Sequence, residues 1–217
     1  LVTLDAEISE RVEGFEAMEQ GHVRIIANAP MPALGVIGRF QRAYPEVQIE
    51  FALHDWTTAV RLLRERQADI GLITDPPASQ DWEHIPILRS RYVAYVLPSS
   101  PLAQRRELRL ADLLTHTVIL PERGSLTERV LRDAQIKAGI TFARTIRMAT
   151  FPLMSEAVLQ GAGVAVFLSG SGLIARDLVE VPIKELSQVH ETAVIAPKDR
   201  ARLRLVEALI AMASAQG

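Results

Sequence analysis

The feature that most limits how this chain can fold is an alternation of short apolar runs and helical patterns, carried through twice. The run VRIIA at 23–27 gives way to Asn28, Ala29 and Pro30, and then to a helical face of Leu34, Ile37, Phe40 and Tyr44 closed by Pro45. VQIEFAL at 47–53, a helix over 56–66 and the strand DIGLI at 69–73 follow. Strands separated by helices of this length predict parallel pairing, with the helices packed on the sheet faces. PILRSRYVAYVLP at 86–98 reads as one extended apolar stretch, and the polar, turn-rich SSPLAQRRELRLADL after it marks a crossing between domains. The second half repeats the pattern with HTVILPERG, a helix from Ser125 to Ala138 stopped by Gly139, the strand ARTIRMAT, a helix behind Thr150, and GVAVFLSGSG. LVEVPI at 178–183, HETAVIAP at 190–197 and a closing helix around Leu203, Val206, Leu209 and Ile210 complete the chain. Before all this, Leu1, Leu4, Ile8, Val12, Phe15 and Met18 recur at helical spacing with acidic residues between them, which predicts a one-faced helix in need of a partner.

Composition narrows the function. The 217 residues, 48% of them hydrophobic and 23% charged, are enough to bury a sizeable core as one large or two small domains. A formal charge of −2 removes any general attraction to phosphate backbones or anionic lipid, so this chain by itself is not expected to bind duplex DNA. The absence of cysteine excludes disulfides and thiol chemistry and fits a reducing compartment. The first twenty residues do not read as a secretory signal, and no run approaches membrane-spanning length.

Motifs of catalysis are missing. There is no GxSxG, HExxH, Walker A or GxGxxG, and the five histidines stand singly, so neither a catalytic set nor a metal site is expected, and no cofactor. The stronger signal lies at helix starts. Ser125 with Glu128 forms S-x-x-E, a capping box, and Asp55 and Thr150 are placed to cap their helices. Such residues can simply terminate helices. Equally, strand ends along the carboxyl edge of a parallel sheet gather the following helix N-termini around a crevice, where free N–H groups suit a carboxylate or phosphonate.

In order and spacing, five stretches resemble the effector-binding domain of LysR-type transcriptional regulators: GHVRIIA, FQRAYPEVQIEF, RERQADIGLI, SPLA and VLQGAGVAVF. The resemblance implies an α/β fold of two Rossmann-like subdomains joined by two crossing strands, of the type 2 periplasmic-binding-protein kind, with an N-terminal linker helix. Residues 1–20 would be the end of that linker, 21–97 with 197–217 subdomain I, and 98–196 subdomain II. A small effector, a carboxylate or phosphonate-like anion, would lie between the subdomains of a cytoplasmic homodimer, or of a tetramer in a full-length protein. DNA would be reached only through a winged helix-turn-helix domain absent from this sequence. Positions matching effector contacts in the family are Asn28, Ala29, Pro30 and Met31, Trp56 and Thr57, Ser99 and Ser100, Ser125, and Thr150 with Phe151.

The chain departs from the family pattern at Arg66, where glycine is usual, at Ser100, where histidine is frequent, and at Leu168, where proline is frequent. HTVILPERGSLTERVL further resembles regulators found with phosphonate catabolism. Two other readings share the bilobal fold: a transporter's solute-binding protein, which needs an export signal and has no use for a linker helix, and an enzyme, which needs a convergent acid, base or nucleophile set that the sequence does not display.

Overall fold

The alternating runs form two five-stranded sheets of matching design. The structure is a computed structural model that describes residues 21–171 and 177–214; the linker helix expected over 1–20 lies outside them. In the first sheet β1 (His22–Ala27) is central between β2 (Gln48–Leu53) and β3 (Ile70–Thr74), and all three run parallel. The order continues through β10 (His190–Pro197), antiparallel to β3, to β4 (Trp82–Ser90), which pairs antiparallel with β10. The second sheet repeats this with β6 (Val118–Pro121) between β7 (Thr145–Met148) and β8 (Val164–Leu168), followed by β5 (Tyr92–Val96) and β9 (Val179–Pro182). Each sheet thus takes its fourth strand from a segment that has just crossed over from the other.

Helices cover the sheets as the periodicity predicts. α1 (Ala33–Ala43) buries Ala33, Val36 and Phe40, and α2 (Trp56–Arg64) buries Ala59, Val60 and Leu63, one on each face of the first sheet. Its inner strands are therefore apolar on both sides, as in β3, where every residue is buried. α3 (Leu126–Ala138) and α4 (Phe151–Leu159) pack into one core around the second sheet, while α5 (Lys198–Ala201) and α6 (Arg204–Ser214) return to the first. α3 closes at Gly139 with φ 66, the left-handed stop that glycine takes without a Cβ penalty.

The crossings differ from the expected boundaries. PILRSRYVAYVLP is not one extended segment: β4 ends at Ser90 in the first sheet, Arg91 intervenes, and Tyr92 already starts β5 in the second. Likewise His190–Pro197 belongs to the first sheet, although the boundary at 196/197 would give most of it to subdomain II. A continuous apolar run marks burial, not the sheet that does the burying, so the switch at Arg91 left no compositional trace.

Two local features explain the motif residues. Gly163 brings the chain so near Thr117 that a Cβ there would sit 2.2 Å from the Thr117 carbonyl oxygen. This close approach lets Val164 donate to that oxygen at 2.9 Å and enter β8. Arg66, where the family pattern has glycine, stands at φ 59 and holds Asp199 at 3.1 Å through its guanidinium.

Candidate functional site

The carboxyl ends of parallel strands from both sheets face one another across a cavity of about 270 Å³. Asn28 and Pro30 follow β1, and Leu53, His54 and Asp55 end or follow β2. From the other lobe come Pro121, which ends β6, with Glu122 and Ser125 after it, Ala149, Thr150 and Phe151 after β7, and Phe167 in β8. Open α/β sheets place ligands at such strand ends, because the helix starts there present unpaired N–H groups. A larger hollow of about 780 Å³ lies beside the crossing, walled by Arg89, Arg91, Tyr92, Glu180 and Val189, but no α-helix begins in it.

The floor on the second lobe is aromatic. Phe151 and Phe167 stack with centroids 4.5 Å apart, and both are almost fully buried. Around them the helix starts differ in how far they are already satisfied. Ser125 Oγ accepts from Glu128 N at 3.1 Å, so this hydroxyl does cap α3, while the Glu128 carboxylate pairs with Arg132 instead of reaching back. Thr150 occupies the capping position of α4, yet its hydroxyl makes no capping bond. Asp55 caps α2 twice, accepting from Thr57 N at 3.0 Å and Thr58 N at 3.2 Å. Asn28 ties β1 to β3 by accepting from Thr74 N at 2.9 Å through Oδ1, which assigns its amide nitrogen as a donor.

Beside the cavity the lobes touch directly. The Arg129 guanidinium lies over the Trp56 ring at 4.2 Å, and Thr57 Oγ1 donates to Gly124 O at 3.3 Å. Trp56 is turned away from the cavity, its Nε1 donating to the carbonyls of Thr74 and Asp75. Near the crossing, the His190 Nδ1–H donates to Asp75 Oδ2 at 2.5 Å, and the His190 ring meets Tyr92 edge-on at 4.8 Å. Burial pushes the Asp75 carboxyl up, but the hydrogen bonds from His190 and from Glu191 N, with the attraction of the His190 ring, outweigh it and hold the group below its ordinary 3.8.

Five of the expected contact residues therefore line the cavity: Asn28, Pro30, Ser125, Thr150 and Phe151. Trp56 and Thr57 serve the contact between lobes, Met31 does not line the cavity, and Ala29 is buried in the core of the second lobe. Ser99 and Ser100 are not brought there. β5 runs antiparallel to β8, so its first residue, Tyr92, lies at the cavity end and the chain leaves β5 at the opposite end; Ser100 caps a short 3-10 turn at Pro101–Gln104. Sequence reasoning passed over His54, Glu122 and Phe167 and read Asp55 only as a cap. The available signal was position: His54 and Asp55 directly follow an apolar run, as does Glu122.

Comparison with known proteins places the fold. Residues 16–217 match the family described as the LysR substrate binding domain. The chain belongs to that family. Among curated relatives, the transcriptional regulator CfxR of Cupriavidus necator is 27% identical over 73% of this chain and 52% of its own length. The regulator CysL of Bacillus subtilis is 26% identical over 71% of this chain and 50% of its own. The chain thus spans about half the length of these relatives. Among solved structures, the CcmR regulatory domain of Synechocystis PCC6803 superposes with a TM-score of 0.76 at 17% identity, covering 90% of this chain and 97% of that one. The effector-binding domain of QuiR gives 0.71 at 14% identity, covering 91% and 97%. The two-lobed α/β fold is therefore that of LysR effector-binding domains, and the relatives are transcriptional regulators, which does not favour a transporter's solute-binding protein. Among the described residues, no helix is long and apolar enough to cross a membrane.

Proposed function

We propose that this LysR substrate-binding domain senses a small anionic effector in the cavity between its lobes and passes the signal to a DNA-binding part of a longer cytoplasmic regulator. The observation that carries the reading is the Thr150 hydroxyl. It stands at the start of α4, on the cavity, and caps nothing. A helix start whose own hydroxyl is uncommitted offers an acid group both an O–H donor and the positive end of the helix. Related folds hold ligands of fitting size: structures of CcmR, QuiR and BenM contain 2-PG, shikimate and benzoate.

The contrast with Ser125 supplies the test. A hydrogen bond to a charged group is worth about 1.5 to 3 kcal/mol, so Thr150→Ala weakens binding roughly ten- to a hundredfold with stability nearly unchanged. Ser125→Ala, which removes a cap, lowers stability by about 1 kcal/mol. Calorimetry with small carboxylates and phosphonates, beside denaturant titration of both variants, separates the effects. Affinity that ignores Thr150→Ala sinks the assignment.

The same reading makes the chain a homodimer. Exposed apolar side chains on the outer helices, Ile136 on α3 at 71% and Leu34 on α1 at 47%, suit a contact between the first lobe of one copy and the second lobe of the other. Ile136→Lys then shifts sedimentation toward the monomer, and a wild-type monomer at high micromolar concentration overturns the proposal.

A further inference from the structure

A groove of about 550 Å³ opens at the end of the first sheet opposite the cavity, where β1 begins. Gly21, His22 and Val23 run along it, and Leu203, Leu205 and Val206 wall it from the turn into α6. Leu203 is 46% exposed, a large apolar side chain left at the rim. The charges around it are mainly positive. Arg24 and Arg200 both reach one buried carboxylate, Asp69, at 3.4 and 3.2 Å, so the trio keeps a net positive charge. Arg204 has no ion-pair partner among the described residues, and it stands at the first position of α6, where the helix dipole disfavours a cation.

The sequence that leads into this groove has the matching character. Residues 1–20 hold six acidic side chains against Arg11, a net charge of −5 in a chain whose total is −2, which leaves +3 on residues 21–217. At helical spacing Glu19 falls one turn beyond Phe15, on the apolar side itself, and Glu16 falls at its flank. Acid on the apolar face argues against the pairing of two such segments, because like charges would meet at the seam. It suits an apolar groove rimmed by arginine. The connection is short: Gly21 O accepts from Gln48 N at 2.9 Å, which fixes where the segment departs, and Met18 and Phe15 stand three and six residues before that point.

We infer that residues 12–20 dock on their own first lobe: Phe15 and Met18 enter the groove against Leu203 and Val206, and Glu16 and Glu19 meet Arg204 and the Arg24–Arg200 pair. A segment held in this way moves with the first lobe as one body instead of swinging about Gly21. The docking does not depend on what the cavity binds.

The chain has no cysteine, so a pair can be introduced into the whole protein without competing thiols. Under mild oxidation Met18→Cys with Leu203→Cys is expected to form an intrachain disulfide at least tenfold faster than Ala17→Cys with Leu203→Cys. Position 17 has nearly the same tether to Gly21 but points to the opposite side of a helix, so a loose segment would link both pairs alike. Nonreducing gels and intact mass read the products. Arg204→Glu is expected to slow the Met18 bond at least threefold, and Glu19→Arg added to it to restore the rate. In the cysteine-free chain, Leu203→Asp, a change on the exposed rim, is expected to speed deuterium uptake over residues 12–20 at least threefold. Equal rates at positions 17 and 18 overturn the inference, as does a disulfide that joins two chains. So do a bond that ignores Arg204→Glu and exchange that ignores Leu203→Asp.

Discussion

The two lobes share one strand order and differ at the edge where they meet. Each has three parallel strands and an antiparallel pair, and each sends helix starts toward the cavity. In the first lobe those starts are closed, by a carboxylate at α2 and by prolines before α1. In the second, Ser125 is committed to its helix and Thr150 is not, although Pro152 removes one N–H from the first turn of α4. Repeating an architecture thus repeats the position of a binding edge without repeating its chemistry. A single capping residue decides whether a helix start attracts an anion or presents a charge of its own.

The largest expected difference between the lobes comes from their glycines. A Cβ at Gly163 meets the Thr117 carbonyl oxygen at 2.2 Å, a backbone atom with nowhere to go, whereas a Cβ at Gly71 meets the tip of Leu63 at 2.6 Å. Gly163→Ala should lower stability by roughly 3 kcal/mol or more, and Gly71→Ala by roughly 1 to 2 kcal/mol, since a side-chain tip can shift. Denaturant midpoints of the two variants check this. Similar losses would mean that the second lobe yields as readily as the first.

Next in size is the contact that joins the lobes. A cation over an indole ring contributes about 0.5 to 2 kcal/mol, so Arg129→Leu should loosen the lobes by that order. In a Trp82→Phe background it should also move the Trp56 emission to longer wavelength as the ring gains water. An unchanged spectrum would show that Trp56 is held by its bonds to Thr74 and Asp75 alone.

The smallest effect concerns the crossing and depends on pH. The Asp75 carboxyl is held below its ordinary 3.8, so it binds a proton less readily folded than unfolded. Its contribution is present above that unfolded value and is lost as pH falls through the folded one. Asp75→Asn should therefore be less stable than wild type at pH 7, and the gap should close as the solution is taken below about pH 4. Its size is limited, because the Asp75 side chain is 35% exposed. A gap of constant size from pH 7 to pH 3 would assign the effect to packing.

Much of the fold could be read from the chain, and the reason is local. The helices at 33–43 and 126–138 follow from spacing, the capping role of Ser125 from S-x-x-E, and the stop after α3 from Gly139. Parallel pairing followed from the lengths of the connections. Asn28, Pro30, Ser125, Thr150 and Phe151 line the cavity because each follows a parallel strand whose carboxyl end faces it. Ser99 and Ser100 were misplaced because the direction of β5 relative to β8 is a property of the sheet, and no residue within YVAYV encodes it.

The amino-acid order alone settles where helices begin and end, which faces are apolar, and that the chain carries two halves of one design, because capping, periodicity and chain stiffness act over a few residues. Tertiary structure alone settles that Tyr92 and His190 sit across a crossing, and that Asp55 and Glu122 edge one cavity. It also decides that Trp56 is stacked under Arg129, away from the cavity. These are contacts between residues tens of positions apart, and their energies exist only once both sheets are packed.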